Sequence, residues 1–155
     1  MLTITVPAVT EALEQVNAFS ARLATAAGLS LCETYRLRLA TEELFVNIVG
    51  HGYGADRTTG QVTIEGDANE RGAWLRLIDT AAPFDPFQVA GPAGLDLPLK
   101  DREPGALGLY LARHAVDAAS HEYARGANRS TIAVLRGRSD ADGRTSHGGH
   151  DIDRE

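Results

Sequence analysis

Proline is concentrated in one part of this chain of 155 residues, because five of its six prolines lie between Thr80 and Pro104. Proline lacks a backbone N–H, so it disrupts helix interiors and central strands. The same stretch shows little hydrophobic periodicity. Long segments without regular structure are uncommon in compact domains and are often functional. We therefore expect an irregular functional segment between two regions of regular structure.

The region before this segment has the patterns of one strand, two helices and two further strands. Ser30 and Glu33 have the spacing of a capping box, which marks the start of the second helix. The connector from Ala68 to Gly72 has hairpin length, so the two later strands should pair antiparallel. The predicted elements are a strand over residues 2–6, helices over 10–27 and 30–50, and strands over 61–67 and 73–79.

The region after the segment predicts a helix from about Ala106 and two strands, near 120–125 and 130–136, joined over residues 126–129. The whole order then contains about five strands and three helices. Helices bury one apolar stripe, and a sheet can bury one face against them. We predict an α+β two-layer sandwich, with three helices covering one face of a mixed sheet of about five strands.

Composition and charge exclude several classes of protein. No apolar run approaches the roughly 20 residues that a membrane-spanning helix needs, so we expect no membrane association. The formal net charge of −6 argues against direct nucleic-acid binding, which needs a basic face to neutralise phosphates. The N-terminus has no secretory pattern, and a single cysteine, Cys32, cannot form an internal disulfide. We expect a cytoplasmic protein with protein or small-molecule partners.

The last 17 residues differ from the rest in charge and hydrophobicity. Residues 139–155 carry two basic and five acidic groups, and Ile152 is their single large apolar residue. Such a segment cannot offset its ordering entropy by burial. We predict one domain over residues 1–138, followed by a disordered acidic tail over 139–155.

Three groups of residues could carry chemistry. Glu43, Asn47 and His51 are four residues apart on the second helix and share one stripe, so they can converge on one ligand. Their alternative role is an ordinary solvated helix face. Asp79 directly follows an apolar strand, where it could face a pocket or simply end the strand in a turn. Gly105 opens the third helix, where free N–H groups attract an anion, although a flexible helix start has the same pattern.

These groups, taken in order, resemble the GHKL (Bergerat-fold) ATPases, and the resemblance extends to about residue 136. The branch they resemble is the anti-sigma factor serine kinases of bacterial partner-switching systems. The motifs that carry the resemblance are the run from Glu43 to Tyr53, Asp79 with Pro83-Phe84-Asp85-Pro86, Gly105-Ala106-Leu107-Gly108-Leu109, and the ending Gly126-Ala127-Asn128-Arg129-Ser130-Thr131.

The resemblance implies the ligands ATP and Mg²⁺ and a role for each motif. Asn47 would coordinate the Mg²⁺ that bridges the ATP phosphates, Glu43 would be the general base, and Asp79 would bind the adenine amino group. Thr131 would support the adenine site, and an ATP lid would extend over about residues 89–104. The other implied nucleotide-binding residues are Pro83, Phe84, Gly105, Ala106, Leu107, Gly108, Leu109 and, as a phosphate clamp, Arg102.

The sequence departs from the family pattern at two glycine positions. Ala81 stands where the family usually has glycine, and Ala106 stands in the second glycine box, which more commonly reads GGLG. Both changes reduce backbone freedom near the nucleotide. We expect ATP binding to survive, because neither change removes a charged or metal-binding group.

The resemblance implies an anti-sigma factor that is also a protein serine/threonine kinase. It would sequester a sigma factor and phosphorylate a STAS-domain anti-anti-sigma factor on serine, and it would be a homodimer. The alternative is a non-catalytic, ATP-gated binding protein on the same fold. Glu43 favours the kinase, because a pure binder needs no base beside the terminal phosphate. His51 and His114 are interpreted as structural residues.

Overall fold

A computed structural model describes residues 1–53, 60–89 and 105–137 of the chain. The predicted tail over 139–155, the phosphate clamp Arg102 and most of the predicted lid lie outside the described residues. The elements are β1 (Leu2–Pro7), a 3₁₀ turn (Thr10–Ala12), α1 (Leu13–Ala27), α2 (Leu31–Asn47), a π-helical turn (Ile48–Gly52), β2 (Gln61–Asn69), β3 (Gly72–Asp79), α3 (Pro86–Val89), α4 (Ala106–Ala115), β4 (Ala118–Ala124) and β5 (Ala127–Leu135).

The five described strands form one sheet in the order β1-β2-β3-β5-β4. All four neighbouring pairs are antiparallel, so the prediction of a mixed sheet is wrong in this detail. The helices α1 and α2 lie between β1 and β2. The chain reverses direction at each connection, so β2 runs antiparallel to β1. β4 runs parallel to β3, because both pair antiparallel with β5, which lies between them. The α+β two-layer class itself is confirmed.

The helices lie on one face of the sheet and bury a continuous apolar core. Inward side chains alternate along β3 and β5, as expected where a sheet has one covered face. The largest fully buried core residues include Leu23, Leu37, Phe45, Ile64, Leu75, Leu77 and Ile132. On the opposite face, Arg76 donates to the Thr131 hydroxyl at 2.9 Å and to the Glu65 carboxylate at 3.0 Å.

The ends of the helices follow the sequence closely. Gly28 takes a left-handed conformation, with φ of 66°, and ends α1. Ser30 and Glu33 form the predicted capping box, and Glu33 also accepts from the backbone N–H of Gly137 at 2.7 Å. These hydrogen bonds, first the one from the Ser30 backbone, lower the pKa of Glu33 despite its burial. The start of α2 is therefore tied to the end of β5.

Both hairpin turns are shorter than the sequence predicts. Glu70 and Arg71 alone separate β2 from β3, because the strands extend into the predicted connector. Arg125 and Gly126 alone separate β4 from β5, with φ values of 54° and 76°. Positive φ at both positions matches the right-handed twist of the strands. The longer β5 places Asn128 inside a strand, opposite Asp79 in the register.

No helix in the described ranges is both long and apolar enough to cross a membrane.

Candidate functional site

A cavity of about 180 Å³ opens between α2, the π-helical turn and the ends of β3 and β5. Two groups of elements enclose it. We call the part contributed by β3, the loop after β3, the start of α3 and β5 the strand wall. Its lining residues are Asp79, Ala81, Ala82, Pro83, Phe84, Pro86, Asn128 and Ser130. We call the helical side, which comprises α2 and the π-helical turn, the helix wall, and those of its residues that line the cavity are Leu44, Asn47, Ile48, His51 and Gly52.

Asp79 is the centre of the strand wall, and its side chain is buried. Its Oδ1 accepts from the backbone N–H of Ala81 and from the side-chain amide of Asn128, both at 3.0 Å. The register pairs Asp79 directly with Asn128 across β3 and β5, which explains the contact. Both hydrogen bonds end on the same carboxylate oxygen, so they fix the orientation of the carboxylate.

The loop after β3 is held by the same asparagine. Asn128 donates to the carbonyl oxygens of Ala81 and Ala82 at 3.2 and 3.0 Å, and accepts from the N–H of Phe84 at 3.0 Å. Ala81 and Ala106 are not among the described residues with positive φ, so neither position needs glycine for its backbone conformation. Gly52 provides room for the Ala81 methyl group, because a β-carbon at Gly52 would lie 3.4 Å from it.

On the helix wall, α2 and the π-helical turn meet the glycine-containing start of α4. A β-carbon at Gly105 would lie 3.5 Å from Asn47 Nδ2 and 3.7 Å from His51 Nε2. A β-carbon at Gly108 would overlap the Glu43 carboxylate. Gly105 itself has φ of 84°, the left-handed conformation that favours glycine. The two glycines therefore let α4 approach the polar stripe of α2 closely.

Glu43 lies one helical turn before Asn47, beside the cavity rather than in its lining. Burial, followed by the nearby carboxylate of Glu42, raises the pKa of Glu43 above its ordinary value. A carboxylate with a raised pKa accepts a proton more readily at neutral pH than an ordinary one. The position and the electrostatics of Glu43 both suit a general base.

The structure brings Ser130, not Thr131, to the cavity. Side chains alternate along a strand, so Ser130 faces the helices while Thr131 faces the opposite side and accepts from Arg76. Thr131 therefore lies outside the cavity, and the hydroxyl that lines the cavity is that of its neighbour Ser130. The Ser130 hydroxyl lies 3.0 Å from Nδ1 of His121 on β4, which extends the polar network beyond the cavity.

The remaining predicted residues have different positions. Pro83 and Phe84 line the cavity. Ala106, Leu107 and Leu109 belong to α4 and are not in the cavity lining, and Leu109 is buried in the core.

Sequence reasoning did not assign a role to three residues of the cavity. The sequence motif that ends at Thr131 includes both Ser130 and Asn128, and Asn128 is expected in a turn. The alternation of these two residues with the apolar Ile132 and Val134 is a signal that they face the same side of one strand. His51 was interpreted as structural, but its ring lines the cavity and is exposed. Its spacing of four residues from Asn47 was the relevant signal.

Residues 6–136 match the histidine kinase-like ATPase domain family. This chain belongs to that family. It is also similar to the serine/threonine-protein kinase BtrW of Bordetella bronchiseptica, with 31% identity over 99 residues, which cover 63% of this chain and 68% of that protein.

Among solved structures, the chain is similar to the RsbU and RsbW domains of a Mycobacterium tuberculosis protein, with a TM-score of 0.55 and 19% identity. The match covers 87% of this chain but only 33% of that one, and at this identity it concerns the fold. Together the matches confirm the resemblance to GHKL ATPases of the anti-sigma factor kinase type. The cavity is accordingly the candidate nucleotide site, because the family is one of ATPases.

Proposed function

We propose that this protein is an ATP-dependent serine kinase and anti-sigma factor of a bacterial partner-switching system. It binds Mg-ATP, sequesters a sigma factor and phosphorylates a STAS-domain antagonist on serine. The observation that carries the proposal is the placement of Glu43 and Asn47 against the two glycines of α4, next to a cavity that contains a buried carboxylate. The similarity to a protein named a serine/threonine kinase supports the reaction class.

The strand wall would bind the adenine base. Adenine carries an exocyclic amino group, which can donate a hydrogen bond to Oδ2 of Asp79. This oxygen is available because the described hydrogen bonds to the Asp79 carboxylate end on Oδ1. A guanine would present a carbonyl oxygen at the same point, and two acceptors would face each other. Pro83 and Phe84 provide apolar contact for the base.

The helix wall and the start of α4 would hold the phosphates. Backbone N–H groups at the N-terminus of this ten-residue helix attract anions. A side chain at Gly105 or Gly108 would fill the space beside Asn47 and Glu43, so the glycines keep that space open. The neutral oxygen of Asn47 suits Mg²⁺, which commonly keeps water and phosphate oxygens as its other ligands. When bound, magnesium would neutralise charge on the phosphates.

Glu43 would remove the proton of the acceptor serine. The serine oxygen forms a bond to the γ-phosphorus, the bond from that phosphorus to the oxygen of ADP breaks, and the serine proton moves to the Glu43 carboxylate. Most of the catalysis would come from positioning and charge stabilisation. The raised pKa of Glu43 supports this role over that of a passive surface group.

The partners and location complete the proposal. The sigma factor and the STAS-domain protein would bind in competition, and the protein would act as a cytoplasmic homodimer. Residues 1–138 would form the kinase domain. The resemblance in motifs supports these assignments.

The first test is a calorimetric titration of the purified chain with ATP, with and without Mg²⁺. We expect binding that depends on Mg²⁺, is lost in Asp79→Asn, and loses its Mg²⁺ dependence in Asn47→Ala. The second step is incubation with ATP and a STAS-domain protein encoded in the same genome, followed by mass spectrometry for phosphoserine.

A matched control is Asp67→Asn, which changes an exposed carboxylate on β2 far from the cavity. Binding of ATP without transfer to any such protein would instead support the non-catalytic ATP-gated binder. Absence of ATP binding would contradict both functions.

A further inference from the structure

Asn128 is the most highly connected polar side chain of the strand wall. It is 3% exposed, and its amide makes four hydrogen bonds, to Asp79, Ala81, Ala82 and Phe84. Buried polar groups that are fully hydrogen-bonded rigidify their surroundings and specify one arrangement. These four partners include the candidate base-binding carboxylate and three positions of the loop beside it.

The orientation of the Asn128 amide is determined by its partners. Its Nδ2 faces a carboxylate oxygen and two carbonyl oxygens, while its Oδ1 faces the N–H of Phe84. A flipped amide would place an acceptor against three acceptors and a donor against a donor. The side chain therefore works as a donor toward Asp79 in a single orientation.

We propose that Asn128 is a positioning residue that sets the selectivity of the site for adenine. It occupies Oδ1 of Asp79 and so directs Oδ2 toward the exocyclic amino group of the base. It also fixes the loop over residues 81–84, which carries the apolar contacts Pro83 and Phe84. This inference rests on the proposed ATP-binding function and assigns its base selectivity to a residue outside the candidate catalytic groups.

The main test compares ATP with inosine triphosphate, which carries an oxygen in place of the exocyclic amino group. We expect Asn128→Ala to weaken ATP binding by about tenfold or more, because the buried carboxylate of Asp79 loses its fixed orientation. The same variant should weaken inosine triphosphate binding by less than about threefold. The preference for ATP would then fall. A purely structural role would weaken both nucleotides by the same factor.

The control is Arg129→Ala, which changes the next residue on β5, outside the cavity lining. It should leave the preference for ATP unchanged. If the wild-type chain binds neither nucleotide, the proposed function fails and this inference fails with it. If the wild type prefers ATP and Asn128→Ala keeps the same preference, the inference alone is overturned.

A second variant separates positioning from folding. Asn128→Asp keeps an acceptor for the Phe84 N–H but places a carboxylate against Asp79, and two carboxylates this close share a proton at raised pKa. Its ATP affinity relative to the wild type should therefore recover as pH falls from about 8 to about 5.5. The same deficit at every pH would contradict the inference.

A measurement on the wild type covers the case in which both variants fail to fold. The Phe84 amide donates to Asn128 in a part-buried position, so its hydrogen exchange should be slowed about 100-fold or more relative to an unprotected peptide. Exchange of Phe84 at the unprotected rate would show that the asparagine does not hold this loop, and the inference would be wrong.

Discussion

The strand wall and the helix wall hold their polar groups in different ways. Asp79 and Asn128 are buried and joined by a hydrogen bond, and both also bond the backbone of the following loop. The described hydrogen bonds include none to the side chains of Glu43, Asn47 or His51, which are instead placed by close packing against glycines. The strand wall is thus arranged before any ligand binds, whereas the helix wall keeps its polar groups available for ligand and metal.

This difference suits the proposed chemistry. Recognition of a base needs a fixed acceptor, because selectivity depends on leaving the wrong base unpaired. A general base needs a carboxylate that can accept and release a proton, and hydrogen bonds to its charged form would lower its pKa. The Glu43 carboxylate is half-buried and its pKa is raised, which agrees with that requirement.

The largest expected effect is the loss of phosphate transfer when the general base on α2 is removed. Glu43→Gln should lower phosphate transfer by about 100-fold to 10,000-fold, which is the usual contribution of a general base. ATP affinity should change little, because the strand wall is untouched. Transfer is measured with radiolabelled ATP and affinity by calorimetry. Glu70→Gln, which changes an exposed carboxylate in the turn between β2 and β3, is the control, and equal loss of binding and transfer in Glu43→Gln would contradict the assigned role.

The next effect tests the contact between α2 and α4. Gly108→Ala adds a methyl group where the Glu43 carboxylate lies, and that carboxylate is the flexible end of a side chain, so it will move. We expect transfer to fall about 100-fold, the loss typical of a misplaced catalytic group. The free energy of unfolding should stay the same or rise by about 0.5–1 kcal/mol, because alanine is more favourable than glycine inside a helix.

Gly50→Ala is the matched control for that variant. A β-carbon at Gly50 meets nothing within 4 Å, so the same chemical change occurs without displacing a site residue. A loss of transfer in Gly50→Ala as large as that in Gly108→Ala would show that the Glu43 contact is not the cause.

A smaller effect on ATP affinity is expected from the hydroxyl groups of β5. Ser130→Ala should weaken ATP binding by about threefold to tenfold, because one hydrogen bond at the cavity is worth about 1 kcal/mol. Thr131→Ala should leave ATP affinity unchanged, since that hydroxyl lies on the opposite face with Arg76. Fluorescence titration with a labelled ATP analogue can measure both, and the reverse pattern would restore the assignment to Thr131.

The smallest effect concerns stability and pH. Because the folded-state pKa of Glu43 is raised, its contribution to stability is fully present below the unfolded-state pKa and is lost as pH rises through the folded-state pKa. Glu43→Gln removes this loss, so its melting temperature should exceed that of the wild type at pH 7–8. The two proteins should converge below about pH 4. Identical melting curves at every pH would mean that burial does not perturb this carboxylate.

The sequence predicts the helix wall better than the strand wall, and the physical reason is local periodicity. Glu43, Asn47 and His51 share a stripe because they lie on one helix, and their spacing is visible in a single segment. The sequence also predicts the capping box at Ser30, which depends on residues three apart.

The strand wall depends on pairings between distant segments. Whether Ser130 or Thr131 faces the cavity changes with a shift of one residue, since side chains alternate along a strand. The sequence places the last turn at residues 126–129, whereas the structure has it at Arg125 and Gly126. That difference moved Asn128 from a turn into a strand opposite Asp79. The order of the strands also cannot be derived from local patterns.

Tyr53 bridges the two sides of residues 54–59. Its hydroxyl donates to the Gln61 carbonyl at 2.7 Å and accepts from the Thr80 N–H at 3.0 Å, and a β-carbon at Gly60 would lie 2.6 Å from the ring. The described residues on both sides of 54–59 are therefore held together by this one side chain. Because Gly52, next to Tyr53, lines the cavity, this contact couples the helical side of the cavity to the end of β3.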